Sequence, residues 1–430
     1  MFTWKKISAV FLCLVIIGLS IAAGCGGGGE EEAVPPVKIG AIIPSTGAYA
    51  SYGPWLKTGI EFVLDEIEEA GGIKSLGGAQ IEVAWADDQS SGATAATEYE
   101  RLVAVEHVRF VIGPVFTGTA LNVASLADEY KIPTISLYAS GDQLRQLNLT
   151  YWRSVTAGTF AGAYGAAFVD FLQYLIDNYD VPHDRIALVF ADTTTGKAQR
   201  AGALQRLEEL GLDGNIVLDQ LFSVQAADMT PYALIAKDAN PDVVVGYTTP
   251  AAGVKLVRAY YDISFYPPIM IGEGSVSNPA QYRTLATPAV YDKLFVEHGA
   301  GFGLQSFNDH IGLESCRDAM VRARAWSEAH GIPFDEYLDG FMMAAQAMYA
   351  LWDALEEAGS AEPEAINEAL RNLSIDENDP HFIVPAFAPA LEWESYGLIK
   401  NYNPLFSQIQ DEVEVLVYPE DLKQAEPLFP

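Results

Sequence analysis

Two hydroxyl residues, Thr117 and Ser140, stand where a small anion could be held. Each follows a short apolar run. Phe110-Val111-Ile112 is closed by Gly113-Pro114 and leads to Thr117, and Pro133 to Leu137 ends in Ala139-Ser140-Gly141-Asp142. Thr117 opens a segment in which Leu121, Val123, Ala124, Leu126 and Ala127 recur at helical spacing. Free backbone N–H groups and the dipole at such a helix start favour a carboxylate. If the two runs are successive parallel strands, both polar turns lie at one carboxyl edge, where open α/β sheets bind ligands. The same residue types also serve as plain helix caps, and spacing alone leaves both readings open. A third polar turn, Gly272-Glu273-Gly274-Ser275, closes a later apolar run.

The chemistry of catalysis is harder to find. The chain has no GxSxG elbow, HExxH, GxxxxGK or strand-linked GxGxxG. His107, His183, His298, His310, His330 and His381 share no metal-ligand spacing, and pairs such as Asp87-Asp88 are common in so acidic a chain. Of three cysteines, Cys13 and Cys25 lie near the N-terminus, which leaves Cys316 without a partner for a disulfide or a zinc cluster. No cofactor, no metal and no enzymatic activity are expected. A site assembled from distant residues is the alternative.

The elements needed to position those turns are legible. The chain has 430 residues, 50% of them hydrophobic, enough for two or three domains. Its 57 Asp and Glu against 25 Lys and Arg provide no basic face for nucleic acid. Lys5-Lys6, an uncharged run from Ile7 to Ala23 and then Gly24-Cys25 form an export signal, too short for a permanent span. Ala22-Ala23-Gly24-Cys25 resembles a bacterial lipobox, so Cys25 is the expected lipidation site, with a Gly/Glu-rich tether after it. From Val37 to Leu137 the pattern runs β-α-β-α-β-α-β, and after a crossing at Tyr151–Val155 the alternation restarts and continues to Ile271. That order calls for mainly parallel sheets with helices on both faces. After a strand at Leu294–His298, long helices are expected at Ser315–His330, Phe334–Gly359 and Glu362–Leu373, and the VEVLVYP tail is strand-like.

VKIGAIIPSTGAYASYGPWLKTGIEFVLDEIEEAGGI, IEVAWADDQS, FVIGPVFTGTALNVASLADEYKIPTIS and NPDVVVGYTTPAAGVKLVRA together resemble the substrate-binding proteins of branched-chain amino acid ABC transporters. The resemblance covers Val37 to Asn278 with specific motifs and the rest in outline. It implies an α/β fold of two Rossmann-like lobes with mainly parallel sheets, joined by a three-crossover hinge that closes over a ligand cleft. Crossovers would fall near Val155–Gly158, Ala286–Pro288 and Pro380–Ala390. The implied division is a signal at 1–24, a lipidated Cys and tether at 25–36, a first lobe at 37–156 plus 288–385, and a second at 157–287 plus 386–430.

Position by position, Tyr52 matches an aromatic lining the cleft, and Thr117, with Phe116 beside it, matches the hydroxyl residue that binds the ligand carboxylate. Tyr138 matches a small residue whose carbonyl takes the ligand ammonium, Ser140 a Thr that serves both ends, and Glu273 the acid that pairs with the ammonium. Glu273 could equally be a helix-start acid. The chain departs from the pattern at Tyr138, which is bulky, at Thr195, which replaces a Tyr, and at Thr248-Thr249, where Tyr-Tyr is common. The implied protein is a monomeric, exported receptor, lipid-anchored outside the cell membrane or in the periplasm. It would capture a small carboxylate, an amino acid foremost, and deliver it to an ABC permease. An aromatic acid, amide or urea is the alternative ligand, and a ligand sensor the alternative role.

Overall fold

The computed structural model describes residues 34–155, 161–247, 249–273, 294–298, 314–333, 338–384, 389–411, 413–420 and 422–429. The export signal and Cys25 lie outside them. Among the described residues no helix is long and apolar enough to cross a membrane.

The first sheet is built from β1 (Val37–Ile43), β2 (Ile81–Asp87), β3 (Val111–Ile112), β4 (Thr134–Ser136) and β5 (Trp152–Ser154). Its order is β2-β1-β3-β4-β5 and every pairing is parallel. Central parallel strands are covered on both faces, which is why β1 beyond Lys38, β3 and β4 read as unbroken apolar or small-residue runs. The covering helices are α1 (Gly53–Glu69), α2 (Gly92–Ala104) and α3 (Thr117–Tyr130), with a short α4 (Asp142–Leu147) that the sequence pattern did not predict.

The second sheet takes β6 (Ile186–Ala191), β7 (Ile216–Phe222), β8 (Val243–Tyr247), β9 (Ile269–Glu273), β10 (Phe295–His298), β13 (Leu405–Gln410) and β14 (Val413–Tyr418), in the order β14-β13-β10-β9-β8-β6-β7. The strands from β7 to β10 are parallel, and β13 and β14 add an antiparallel edge. A separate two-stranded ladder pairs β11 (Ile375–Asp376) with β12 (Ala390–Leu391). Helices α5 (Ala161–Tyr179), α6 (Thr194–Leu210), α7 (Thr230–Ala239) and α8 (Pro250–Asp262) belong to this half of the sequence.

Three late helices, α9 (Glu314–His330), α10 (Leu338–Ala358) and α11 (Pro363–Asn372), follow. Helix α10 is buried from Phe341 to Leu351 and packs on α1, where Gly59 lets the backbones close. Arg322 of α9 donates to Glu66 of α1 at 2.8 Å and to the Tyr349 hydroxyl of α10 at 3.2 Å, and Tyr349 in turn donates to Glu66. The late helices therefore pack on α1, which covers the first sheet.

Two expected crossovers are corrected. Strand β10 is hydrogen-bonded between β9 and β13, so residues 295–298 belong to the second sheet and a return near Ala286–Pro288 is too early. At the other end, the Ser154 N–H donates to Gly397 O at 2.8 Å and Trp393 Nε1 donates to Ser154 O at 2.8 Å. The segment 390–399 is thus tied to β5, and the chain crosses to the second sheet between Ile399 and Leu405. Strand pairing decides these points, and no change of hydrophobic period marks them in the sequence.

Helices α5 and α6 touch through glycine. A Cβ on Gly165 would lie 1.7 Å from the Gln199 carbonyl oxygen, and one on Gly202 1.9 Å from that of Gly162. Gly165→Val should force the helices apart and lower stability by about 1–3 kcal/mol. Urea unfolding measures this, and an unchanged midpoint would show that the contact is not tight.

Candidate functional site

The parallel pairing of β3 with β4 continues past both strands. Tyr138 N–H donates to Val115 O at 2.7 Å, and Phe116 and Tyr138 form a parallel bridge. One step further, Ser140 N–H donates to Thr117 Oγ1 at 3.2 Å, with both residues buried. Thr117 is the first residue of α3, as the sequence indicates, but its hydroxyl braces the neighbouring loop and does not cap its own helix. The N-cap is Phe116, which has no capping side chain, so the amide donors at the start of α3 are not covered by a cap side chain.

Thr195 comes to this point from the other half of the molecule. Thr193 caps α6 by accepting the Gly196 N–H at 3.0 Å, which sets the first turn, and Thr195 Oγ1 lies 3.5 Å from Thr117 Oγ1. Loops at the carboxyl edges of both sheets therefore meet at Thr117. A carboxylate could be received here by hydroxyl and amide donors from both sides.

Around the hydroxyls stand aromatic rings. Phe116 is the centre: its ring centroid is 5.0 Å from Tyr52 in an edge contact, 6.0 Å from Tyr138 in a stacked one, and 4.2 Å from Tyr49. Tyr52 and Tyr138 are 6.1 Å apart. All four are half-buried. Tyr49 was missed by sequence reasoning, because its loop has no periodicity. The signal that could have found it is a second tyrosine three residues before Tyr52.

The loop carrying Tyr49 is strapped to the one after β2. The Asp87 carboxylate accepts from Ser45 N (2.9 Å), Thr46 N (3.2 Å), Thr46 Oγ1 (2.7 Å) and Gln89 N (2.9 Å). Burial works against its charged form, but these hydrogen bonds outweigh it and hold its pKa below the usual value. Tyr49 N–H donates to Ser90 Oγ at 3.0 Å, and Ser90 Oγ donates to Thr46 O at 3.1 Å. Gln89 and Ser90 both take left-handed backbone, at φ 51° and 59°. Gly47, at φ 89°, packs so closely that a Cβ would lie 2.3 Å from Gln89 O.

Of the remaining positions, Thr249 is the half-buried residue before α8, at the carboxyl end of β8. The Glu273 backbone ends β9 between Tyr247 and Glu297, and its side chain lies outside the described residues. Cys316 is buried, its thiol lies 3.7 Å from Phe382 O, and burial pushes its pKa up to about 12, so it is no nucleophile. Tertiary folding does group His381 with Asp353 and Asp379, whose ligand atoms lie within 4.8 Å. Their pairings already account for them. His381 Nδ1 is 2.6 Å from Asp353 Oδ1, Asp379 accepts the His381 N–H at 2.8 Å, and the ring stacks on Tyr349. A cavity of about 50 Å³ under α8, lined by Val189, Val244, Tyr260, Met270 and Leu294, does not include the Thr117 group.

Residues 36–389 match the model of a family described as periplasmic binding protein. The Leu/Ile/Val-binding protein homolog 7 of Brucella abortus (strain 2308) is 22% identical over 413 residues, 94% of this chain and 96% of the relative. Among solved structures, the branched-chain amino acid transporter substrate-binding protein LivJ of Streptococcus pneumoniae, in complex with isoleucine, superposes with a TM-score of 0.71 at 19% identity, covering 92% of this chain and all of that one. A solute-binding protein of an ABC transporter from R. palustris, in complex with 4-hydroxybenzoate, does so with a TM-score of 0.71 at 16% identity, covering 89% and 95%. The family is one of extracytoplasmic solute-binding proteins, not of enzymes. With a family match over most of its length and two mainly parallel sheets whose carboxyl-edge loops meet at Thr117, the chain belongs to the periplasmic binding protein family.

Proposed function

We propose that this protein captures a small carboxylate-bearing solute, an amino acid foremost, between two lobes and delivers it to an ABC permease. The observation that carries the reading is the meeting of Thr117 and Ser140 from the first sheet with Thr195 from the second. A carboxylate held among them would bind both halves at once, so its binding energy would favour the closed form. The lobes in this reading are 37–155 plus 314–399 and 161–298 plus 405–430, following the strand pairing. Glu273, at the end of β9, is the group assigned to an ammonium, since a carboxylate in a closed cleft needs a cation partner. Tyr52, Phe116 and Tyr138 line the pocket, with Thr249 on the opposite wall. Cys25 is the assigned lipid attachment point, which would hold a monomeric receptor at the outer face of the cell membrane.

The second reading is an acid without an amine. The bulk of Tyr138 favours it, and so does the structural likeness to a 4-hydroxybenzoate binder.

Two measurements test the reading. In a thermal-shift screen, carboxylates should raise the melting temperature by mass action; if amino acids have no effect while an uncharged amide does, the role given to Glu273 is wrong. Thr117→Ala should weaken a bound carboxylate by about 1–3 kcal/mol through loss of a charge-assisted hydrogen bond. Unchanged affinity by calorimetry would remove Thr117 from the site.

A further inference from the structure

We propose that Tyr49 is an additional wall of the ligand site and that, with Tyr52, Phe116 and Tyr138, it selects carboxylates bearing an aromatic ring over aliphatic ones. The inference rests on the carboxylate reading above and adds the class of side chain.

Four tyrosine or phenylalanine rings beside the hydroxyls would be ordinary packing if they were buried. They are not: Tyr49, Tyr52, Phe116 and Tyr138 are each half-buried, next to buried Thr117 and Ser140. The contacts Phe116 makes with Tyr49, Tyr52 and Tyr138 are respectively tilted, edge-on and stacked. Such a group offers a ligand both ring faces and ring edges, and a fifth ring gains offset or edge contacts that a branched alkyl chain of similar area does not.

Tyr49 is also held in place before any ligand arrives. Its amide is bonded to Ser90 Oγ, and the same Ser90 and the Asp87 carboxylate pin Thr46 and Ser45 on the near side of the loop. Ser90 and Gln89 pay for this with left-handed backbone, a strain that proteins keep where a group must be aimed. With its backbone already fixed in this way, only the ring itself is left to order on binding. Asp87 is thus a positioning residue, and Tyr49 the one it positions.

The test is calorimetry on the purified chain with L-phenylalanine, L-tyrosine and benzoate against L-leucine and L-isoleucine. At least one aromatic probe should bind more tightly than both aliphatic ones. Tyr49→Ala should weaken that aromatic probe about two- to tenfold, the size of an aromatic pair contact, with leucine affinity unchanged within about twofold. Tyr49→Phe should keep the preference, and Asp87→Ala, which frees the loop, should narrow the ratio of aromatic to aliphatic affinity. Leucine or isoleucine binding tighter than every aromatic probe would overturn the inference and leave the carboxylate reading standing. So would a Tyr49→Ala variant that shifts all probes equally. If no probe of either kind binds, both fall.

Discussion

The structure depends on the register in which β3 and β4 lie side by side, because that pairing runs on beyond the strands into their loops. The bond from Tyr138 N–H to Val115 O, the Phe116 to Tyr138 bridge and the bond from Ser140 N–H to Thr117 Oγ1 are successive rungs of one ladder. A single alignment therefore sets two hydroxyls and two rings at once. Because side chains alternate along extended backbone, a slip of one residue would turn this arrangement away from the site. The strands themselves are only two and three residues long, so their buried neighbours, β1 and α3, supply the stability that holds the register.

The second constraint is that the site is shared. Thr195 reaches Thr117 only because α6 starts at the carboxyl edge of β6, and α6 in turn is held by its glycine contact with α5. Neither half holds all three hydroxyls, which is why the proposed capture would work by closure. In that proposal, full binding energy would be available only when both halves are engaged, so occupancy and shape would change together. On the first-sheet side the late helices α9 and α10 return to brace α1 through Glu66, Arg322 and Tyr349.

Aromatic rings would change what the proposed site can discriminate. Hydroxyls and amides would recognise a carboxylate whatever it is attached to, whereas the rings around Phe116 would read the remainder of the molecule. Tyr138 stacks on Phe116, while Tyr49 closes the cluster from a loop that Asp87 pins down. The proposals thus assign carboxylate recognition and side-chain selection to different residues.

The amino-acid sequence by itself determined the alternation of strands and helices, the parallel character of the sheets, the two polar turns at Thr117 and Ser140, and the family, since these are written in hydrophobic period, turn residues and local motifs. It misplaced two of the three crossovers. Strand β10 and the segment 390–399 were assigned to the wrong halves, because membership in a sheet is settled by hydrogen bonds to distant strands and leaves no local trace. Tyr49 and the Asp87 strap escaped for the same reason: their partners lie some forty residues away in loops without periodicity. Only the tertiary structure decided that Thr117 braces Ser140 and meets Thr195, because a hydroxyl can cap, brace or bind, and which it does depends on what folding brings within hydrogen-bonding reach.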